Sequence, residues 1–60
     1  MDWVVFINDR FVGFASTYDE ALDIVAKNGH YRGGQIVGRV WIKPNKDKNG
    51  NPIYLPTAAT

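Results

Sequence analysis

The chain opens with two short runs of β-branched and aromatic residues that flank a polar step. The runs span residues 3–7 and 10–15, and Asn8 and Asp9 stand between them. Both of these residues tolerate positive φ, so the pattern predicts a β-hairpin with a two-residue turn.

Centring the turn on positions 8 and 9 places Phe6 opposite Phe11, Val5 opposite Val12 and Trp3 opposite Phe14. Strict alternation then gives two apolar faces. One carries Trp3, Val5, Ile7, Val12 and Phe14, and the other carries Val4, Phe6, Phe11, Gly13 and Ala15. One helix can cover only one face, so we expect a sizeable apolar surface on the other.

The next segment has the pattern of an amphipathic helix. Thr17 and Glu20 have the spacing of a capping box, and Asn28-Gly29 supplies a left-handed stop. The apolar stripe consists of Tyr18, Ala21, Leu22 and Val25. Three acids, Asp19, Glu20 and Asp23, fall on the opposite arc, where they suit the helix dipole.

A third strand is predicted over residues 35–43, after a loop over residues 30–34 and before Pro44. Its alternation directs Ile36, Gly38, Val40 and Ile42 towards the helix. The other side carries Gln35, Val37, Arg39, Trp41 and Lys43. Residues 45–52 form a polar loop, and residues 53–55 have the composition of a short edge strand.

These elements predict an α+β fold of ββαβ order. Its three-stranded antiparallel sheet has the order 2-1-3, and the helix packs on one face. Residues 1–56 form one small domain, and residues 57–60 form a flexible tail.

Length and composition limit the class of protein. Sixty residues with a hydrophobic fraction of 45% suit one small globular domain. The absence of cysteine excludes disulfides and thiolate metal sites. No segment reads as a signal peptide or a membrane span, so we expect a soluble protein of the cytoplasm with no membrane partner.

Charge is distributed unevenly along the chain. Residues 1–23 carry five acids and one arginine, a net charge of −4, whereas residues 24–60 carry six bases and one acid, a net charge of +5. This polarity favours oriented docking over the uniform phosphate neutralisation of a strongly basic nucleic-acid binder.

The chain offers little for catalysis. It has one histidine, His30, one serine, Ser16, and no cysteine, so no nucleophile and base set can be assembled. Asp19 and Asp23 suit a solvated helix face better than an acid and base pair. We therefore expect no catalytic residues, no cofactor and no small-molecule substrate.

Residues 45–50 imitate the start of a calcium loop, but Pro56 stands where a bidentate glutamate belongs. Gly33-Gly34 lacks the following helix that a phosphate site uses. The sequence therefore predicts neither a metal site nor a phosphate site.

The remaining candidate site is the open face of the third strand. Arg39, Trp41 and Lys43 share this face with Val37. Tryptophan and arginine dominate the binding energy of many interfaces, so we interpret these four residues as a partner-binding surface. The alternative interpretation is an outer sheet face half covered by lysine and arginine stems.

The segment Ala15-Ser16-Thr17-Tyr18-Asp19-Glu20-Ala21-Leu22-Asp23-Ile24 has the pattern A-x-T-x-D-E-A-L-(D/E)-(I/L). With Tyr31, Gly34, Arg39-Val40 and Pro44, it resembles the small host RNA polymerase inhibitors of short-tailed coliphages over about residues 3–44.

This resemblance implies one helix on a three-stranded sheet that binds the jaw of the largest subunit of bacterial RNA polymerase. Binding in the downstream DNA channel would hinder open promoter complex formation. Arg39 matches the first of two required arginines, and either Trp41 or Lys43 stands for the second. The nearest counterparts of the family's acidic strip are Asp19, Glu20 and Asp23.

Two other functions fit the same residues. A small DNA-binding module would use the basic and aromatic sheet for phosphate and groove contacts, although a net charge of +1 is low for one. An interaction protein that dimerises through its sheet would bury the same apolar face.

Overall fold

The computed structural model describes residues 2–56, and the predicted α+β fold is confirmed. Its strands are β1 (Trp3–Ile7), β2 (Arg10–Ala15), β3 (Tyr31–Arg32), β4 (Gln35–Ile36) and β5 (Val40–Pro44), and its helix is α1 (Tyr18–Lys27). β1, β2 and β5 form an antiparallel sheet of order β2-β1-β5, which is the predicted order, and β3 and β4 form a separate two-stranded sheet.

The β1–β2 hairpin has the predicted two-residue turn, with φ of 54° at Asn8 and 66° at Asp9. Such a turn matches the right-handed twist of the strands that it joins. Phe6 pairs with Phe11 as predicted.

Beyond Phe6 the predicted register is wrong because β2 contains a β-bulge. Val5 pairs with Gly13 and not with Val12, so Val12 is an extra residue in β2. Trp3 consequently pairs with Ala15, and Phe14 pairs with Val4. A bulge lets two successive residues lie on one side of a strand.

The bulge reassigns three residues of β2 between the two sheet faces. Gly13 and Ala15 lie on the helix side, where Ala15 is buried in the core and a Cβ on Gly13 would lie 3.7 Å from Ile24 Cδ1. Phe14 lies on the opposite face, with its ring centroid 4.9 Å from that of Phe11. The face away from the helix thereby gains a third phenylalanine.

The predicted stop at the end of α1 is confirmed, and of the predicted capping box the Thr17 half forms, whereas the Glu20 carboxylate accepts from the Thr17 hydroxyl and not from its amide. The Thr17 hydroxyl oxygen accepts a hydrogen bond from the Glu20 amide at 3.1 Å, so it caps the helix start. At the other end Gly29 has φ of 80°. The Gly29 amide donates to the Ala26 carbonyl, and the His30 amide donates to the Val25 carbonyl. These two bonds form a Schellman motif, which satisfies carbonyls of the last turn.

The core lies between α1 and the sheet. It consists of Val5, Ile7, Ala15, Ala21 and Val25, with Trp3, Val12, Ile24, Tyr31, Val40 and Ile42 packed around it. Of the predicted helix stripe, Tyr18 is half exposed and packs edge-on against Trp3 at 5.4 Å between ring centroids.

The predicted third strand over residues 35–43 is wrong in its first half. Gly33 and Gly34 both have positive φ and turn the chain, so β4 pairs with β3. Gly38, with φ of 86°, then interrupts the extended backbone, and the strand that joins the main sheet begins only at Val40. Ile36 is consequently exposed and does not face the helix core.

The predicted edge strand over residues 53–55 is also wrong. These residues have no strand pairing and instead fold back, held by the side chain of Asn45, which is almost completely buried. Its Oδ1 accepts hydrogen bonds from the amides of Ile53 and Tyr54 at 3.1 and 2.8 Å, and its Nδ2 donates to the Tyr54 carbonyl at 2.8 Å.

Residues 57–60, for which we predict a flexible tail, lie outside the described residues. Within the described part of the chain, no helix has the length and apolar character needed to cross a membrane.

Candidate functional surface

Two of the predicted site residues, Trp41 and Lys43, lie together on the sheet face away from α1. Trp41 is paired with Phe6 across the β1–β5 ladder, and the residue is 55% exposed. The Lys43 ammonium lies 5.7 Å from the Trp41 ring centroid and 5.4 Å from that of Phe6. We call Phe6, Trp41 and Lys43 the Trp41 patch.

The Trp41 patch combines a fixed backbone with a directed charge. Its three residues belong to paired strands, which hold their Cβ positions. The distances from Lys43 to both rings are within the range of cation–π interactions, which restrict where the ammonium points. The patch therefore presents an indole and a positive charge side by side with little conformational freedom to lose on binding.

Arg39 lies at the end of the sheet beside the hairpin turn. Its Nη2 is 3.0 Å from Asp9 Oδ2, and its carbonyl accepts a hydrogen bond from the Asn8 amide at 2.9 Å. The two side chains are 72% and 66% exposed, so this ion pair adds little stability and can exchange for a partner carboxylate. Arg39 therefore lies beside the hairpin turn, two residues before Trp41 along the chain.

Val37 is not part of this surface. Its amide donates to the His30 carbonyl at 2.8 Å, and its carbonyl accepts from His30 Nδ1 at 2.9 Å. These bonds hold Val37 beside the end of α1, in the connection before β5. The prediction that Val37 shares a strand face with Trp41 is wrong because Gly38 breaks the alternation.

The chain's own C-terminal segment covers part of the face that we predicted to be open. The Tyr54 ring packs against Phe6 at 5.5 Å and is stacked on Phe11 at 6.1 Å between centroids. Val4, which faces away from the helix core, is completely buried. The covered part is centred on β1 and β2, and Trp41 and Lys43 remain exposed at the β5 side.

A groove beside this contact was missed by sequence reasoning. It has a volume of about 450 Å³ and is lined by Phe11, Phe14, Ile53, Tyr54 and Leu55. The sequence contains two relevant signals, which are the apolar run 53–55 after a polar loop and Asn45 directly after Pro44. Neither signal predicts which part of the sheet residues 53–55 pack against.

The loop between Asn45 and the C-terminal segment is organised by Asp47. Its Oδ1 accepts hydrogen bonds from the amides of Asn49 and Asn51 at 2.8 and 3.0 Å. This oxygen therefore closes a turn of the chain, as side chains of aspartate commonly do.

The predicted acidic strip lies on the other side of the molecule. Asp19, Glu20 and Asp23 are exposed on α1, which packs on the sheet face opposite the Trp41 patch. The Glu20 carboxylate also accepts a hydrogen bond from the Thr17 hydroxyl at 3.4 Å. The two predicted functional groups of residues thus occupy opposite faces of a thin molecule.

Comparisons with known proteins identify no relative. No protein-family model, no curated protein and no solved structure matches the chain.

Proposed function

We propose that this protein is a non-enzymatic inhibitor that docks through the Trp41 patch and Arg39 onto an acidic surface of bacterial RNA polymerase. The half-exposed Trp41 beside Lys43 on a rigid strand carries the proposal. Indole and cationic side chains of this kind supply much of the energy of protein interfaces because they combine a large apolar area with directed charge.

The choice of polymerase rests on the resemblance of residues 3–44 to phage inhibitors of that enzyme, in which basic residues of the third long strand contact the jaw of the largest subunit. Arg39 and Lys43 supply the basic character here. Trp41 takes the space between them and adds apolar area in place of a second guanidinium.

The position of the acidic strip supports an inhibitory action. When the Trp41 patch is docked, Asp19, Glu20 and Asp23 on the opposite face point away from the partner surface. In the downstream channel these carboxylates would repel the phosphates of entering DNA. One face would bind the enzyme and the other would hinder open complex formation.

The test is a pull-down of purified bacterial RNA polymerase with Trp41→Ala and Lys43→Glu, with Lys46→Glu as the matched control. Lys46 carries the same charge, is exposed and lies outside the patch. We expect each patch variant to weaken binding at least about tenfold, because interface anchors cost roughly 2 kcal/mol or more when truncated. Lys46→Glu should bind within about threefold of the wild type.

Circular dichroism of each variant shows whether the fold is retained. Polymerase binding that survives both patch variants would refute the proposed site, and the absence of binding by the wild-type chain would refute the proposed partner. Salt-sensitive binding to duplex DNA that the patch variants abolish would support a DNA-binding module instead.

A further inference from the structure

The two edges of the main sheet differ. β2 forms one edge and contains the bulge at Val12, whereas β5 forms the other and is paired regularly from Val40 to Pro44. A bulge twists an edge and discourages pairing with another chain, but a regular edge offers a template for an added strand. β5 is therefore the edge that can accept one.

The hydrogen-bond phase of the ladder shows which backbone groups of β5 face outwards. The Asn45 amide donates to the Asp2 carbonyl at 2.8 Å, and the Asn8 amide donates to the Arg39 carbonyl at 2.9 Å. Bonded pairs alternate along antiparallel strands, so Trp41 and Lys43 direct their amides towards β1. The amides and carbonyls of Val40 and Ile42 then point away from the sheet.

Among the described residues, no strand is hydrogen-bonded to the outer edge of β5. α1 packs mainly over β1 and β2, and the C-terminal segment stacks on Phe6 and Phe11 of the same two strands. Within residues 2–56, the backbone groups of Val40 and Ile42 have no hydrogen bond outside their own sheet.

The side chains beside this edge indicate what it binds. Arg39 and Lys43 carry positive charge two residues before and two residues after Trp41. Residues directly opposite each other on paired strands interact, and opposite charges there are favourable while like charges are unfavourable. The complementary strand has an apolar residue opposite Trp41. It has an acidic residue two positions before and another two positions after that residue, so that all three share one face.

We infer that the outer edge of β5 pairs main chain to main chain with an extended, acidic strand of a protein partner. A second copy of β5 is disfavoured as the occupant, because antiparallel pairing about Trp41 would bring Lys43 opposite Arg39 of the other copy. The inference rests on the proposed function for the identity of the partner, and it adds the mode of recognition.

Pro44 sets one end of the added strand. Proline has no amide hydrogen, and at this position, opposite Trp3, the amide would point away from β1. Pro44 therefore removes no hydrogen bond from the β1–β5 ladder. A partner strand therefore finds amide donors at Val40 and Ile42 and none at Pro44. Strand pairing is short, and the affinity depends on the flanking charges and on Trp41.

The chain is short enough for total chemical synthesis, which allows a backbone test. N-methylation at Ile42 removes an outward amide hydrogen without touching a side chain or the β1–β5 ladder. The matched control is N-methylation at Phe14, whose amide faces outwards from the β2 edge by the same phase argument. We expect the Ile42 analogue to bind polymerase at least about tenfold more weakly, and the Phe14 analogue to bind like the wild type.

Amide hydrogen exchange provides the second measurement. In the free chain the Val40 and Ile42 amides should exchange fast, and the Trp41 and Lys43 amides should be protected. Binding should protect Val40 and Ile42. If polymerase binds and these two amides still exchange fast, or if the Ile42 analogue binds normally, edge pairing is refuted while the proposed function stands.

If polymerase does not bind the wild-type chain, the proposed function fails. Strand pairing at the outer edge of β5 is then tested with a peptide probe. The probe is a short, terminally blocked peptide with the core Glu-Thr-Val-Thr-Glu, which places glutamate, valine and glutamate on one face of the extended strand, and its control has lysine in place of glutamate. Protection of Val40 and Ile42 by the acidic peptide alone supports edge pairing. Equal protection by both peptides, or protection by neither, overturns the inference.

Discussion

Gly38 shows how one residue determines where a strand begins. Its φ of 86° is accessible to glycine at little cost, and a Cβ at this position would lie 2.8 Å from His30 Nδ1. His30 in turn donates a hydrogen bond from this nitrogen to the Val37 carbonyl. The backbone angle and the neighbouring ring thus both require glycine, and together they separate β4 from β5.

We predict that Gly38→Ala destabilises the fold by about 2–3 kcal/mol, of which ~1 kcal/mol comes from the positive φ and the rest from displacing His30. The matched control is Gly50→Ala, because Gly50 has φ of 83° with open space around its Cβ position, so it should lose only about 1 kcal/mol. Urea denaturation measures both free energies of unfolding. Equal losses in the two variants would show that His30 makes no difference.

At the scale of elements, α1 is specified by its ends. The Thr17 cap and the Gly29 stop are both local, each satisfying backbone groups that the helix itself leaves unpaired. Because such signals act over a few residues, they are independent of the rest of the fold and can be read from sequence.

We predict that Thr17→Ala lowers the free energy of unfolding by about 1 kcal/mol, since the Glu20 amide loses its acceptor. Ser16→Ala is the control, because the Ser16 hydroxyl is exposed and has no hydrogen bond within the described residues. Thermal denaturation followed by circular dichroism at 222 nm, with both variants beside the wild type, makes the comparison. A loss of equal size at Ser16 would contradict the capping assignment.

The elements that sequence reasoning placed correctly depend on local patterns, and those it misplaced do not. The turn at Asn8-Asp9 and the helix follow from short motifs. The bulge at Val12 could not be predicted, because both faces of the hairpin are apolar and either register buries aromatic residues. The end of β4 depends on the φ of Gly38, which composition does not reveal.

At the scale of the whole molecule, the C-terminal fold-back decides how much of the sheet is available to a partner. Asn45 joins the end of β5 to Tyr54 through hydrogen bonds to the backbone. This contact spans nine residues and carries no sequence signature, which explains why the candidate surface was predicted to be larger than it is. Trp41 and Lys43 could be predicted because strand alternation alone places them.

We predict that Asn45→Ala destabilises the protein by about 1–3 kcal/mol, because the amides of Ile53 and Tyr54 lose their buried acceptor. Exchange of these two amides should become fast, and urea denaturation should give the loss in stability. Asn49→Ala is the control, since the Asn49 side chain is exposed and has no hydrogen bond within the described part of the chain. Unchanged exchange at Tyr54 in Asn45→Ala would show that ring stacking alone holds the segment.

The bulge in β2 also has a consequence for chain length. Val12 and Gly13 both lie on the helix side, between Phe11 and Phe14 on the other side. Removing either of the two would restore simple alternation and leave every remaining side chain on its present face. β2 can therefore lose one residue at the bulge and keep the same side chains inside and outside.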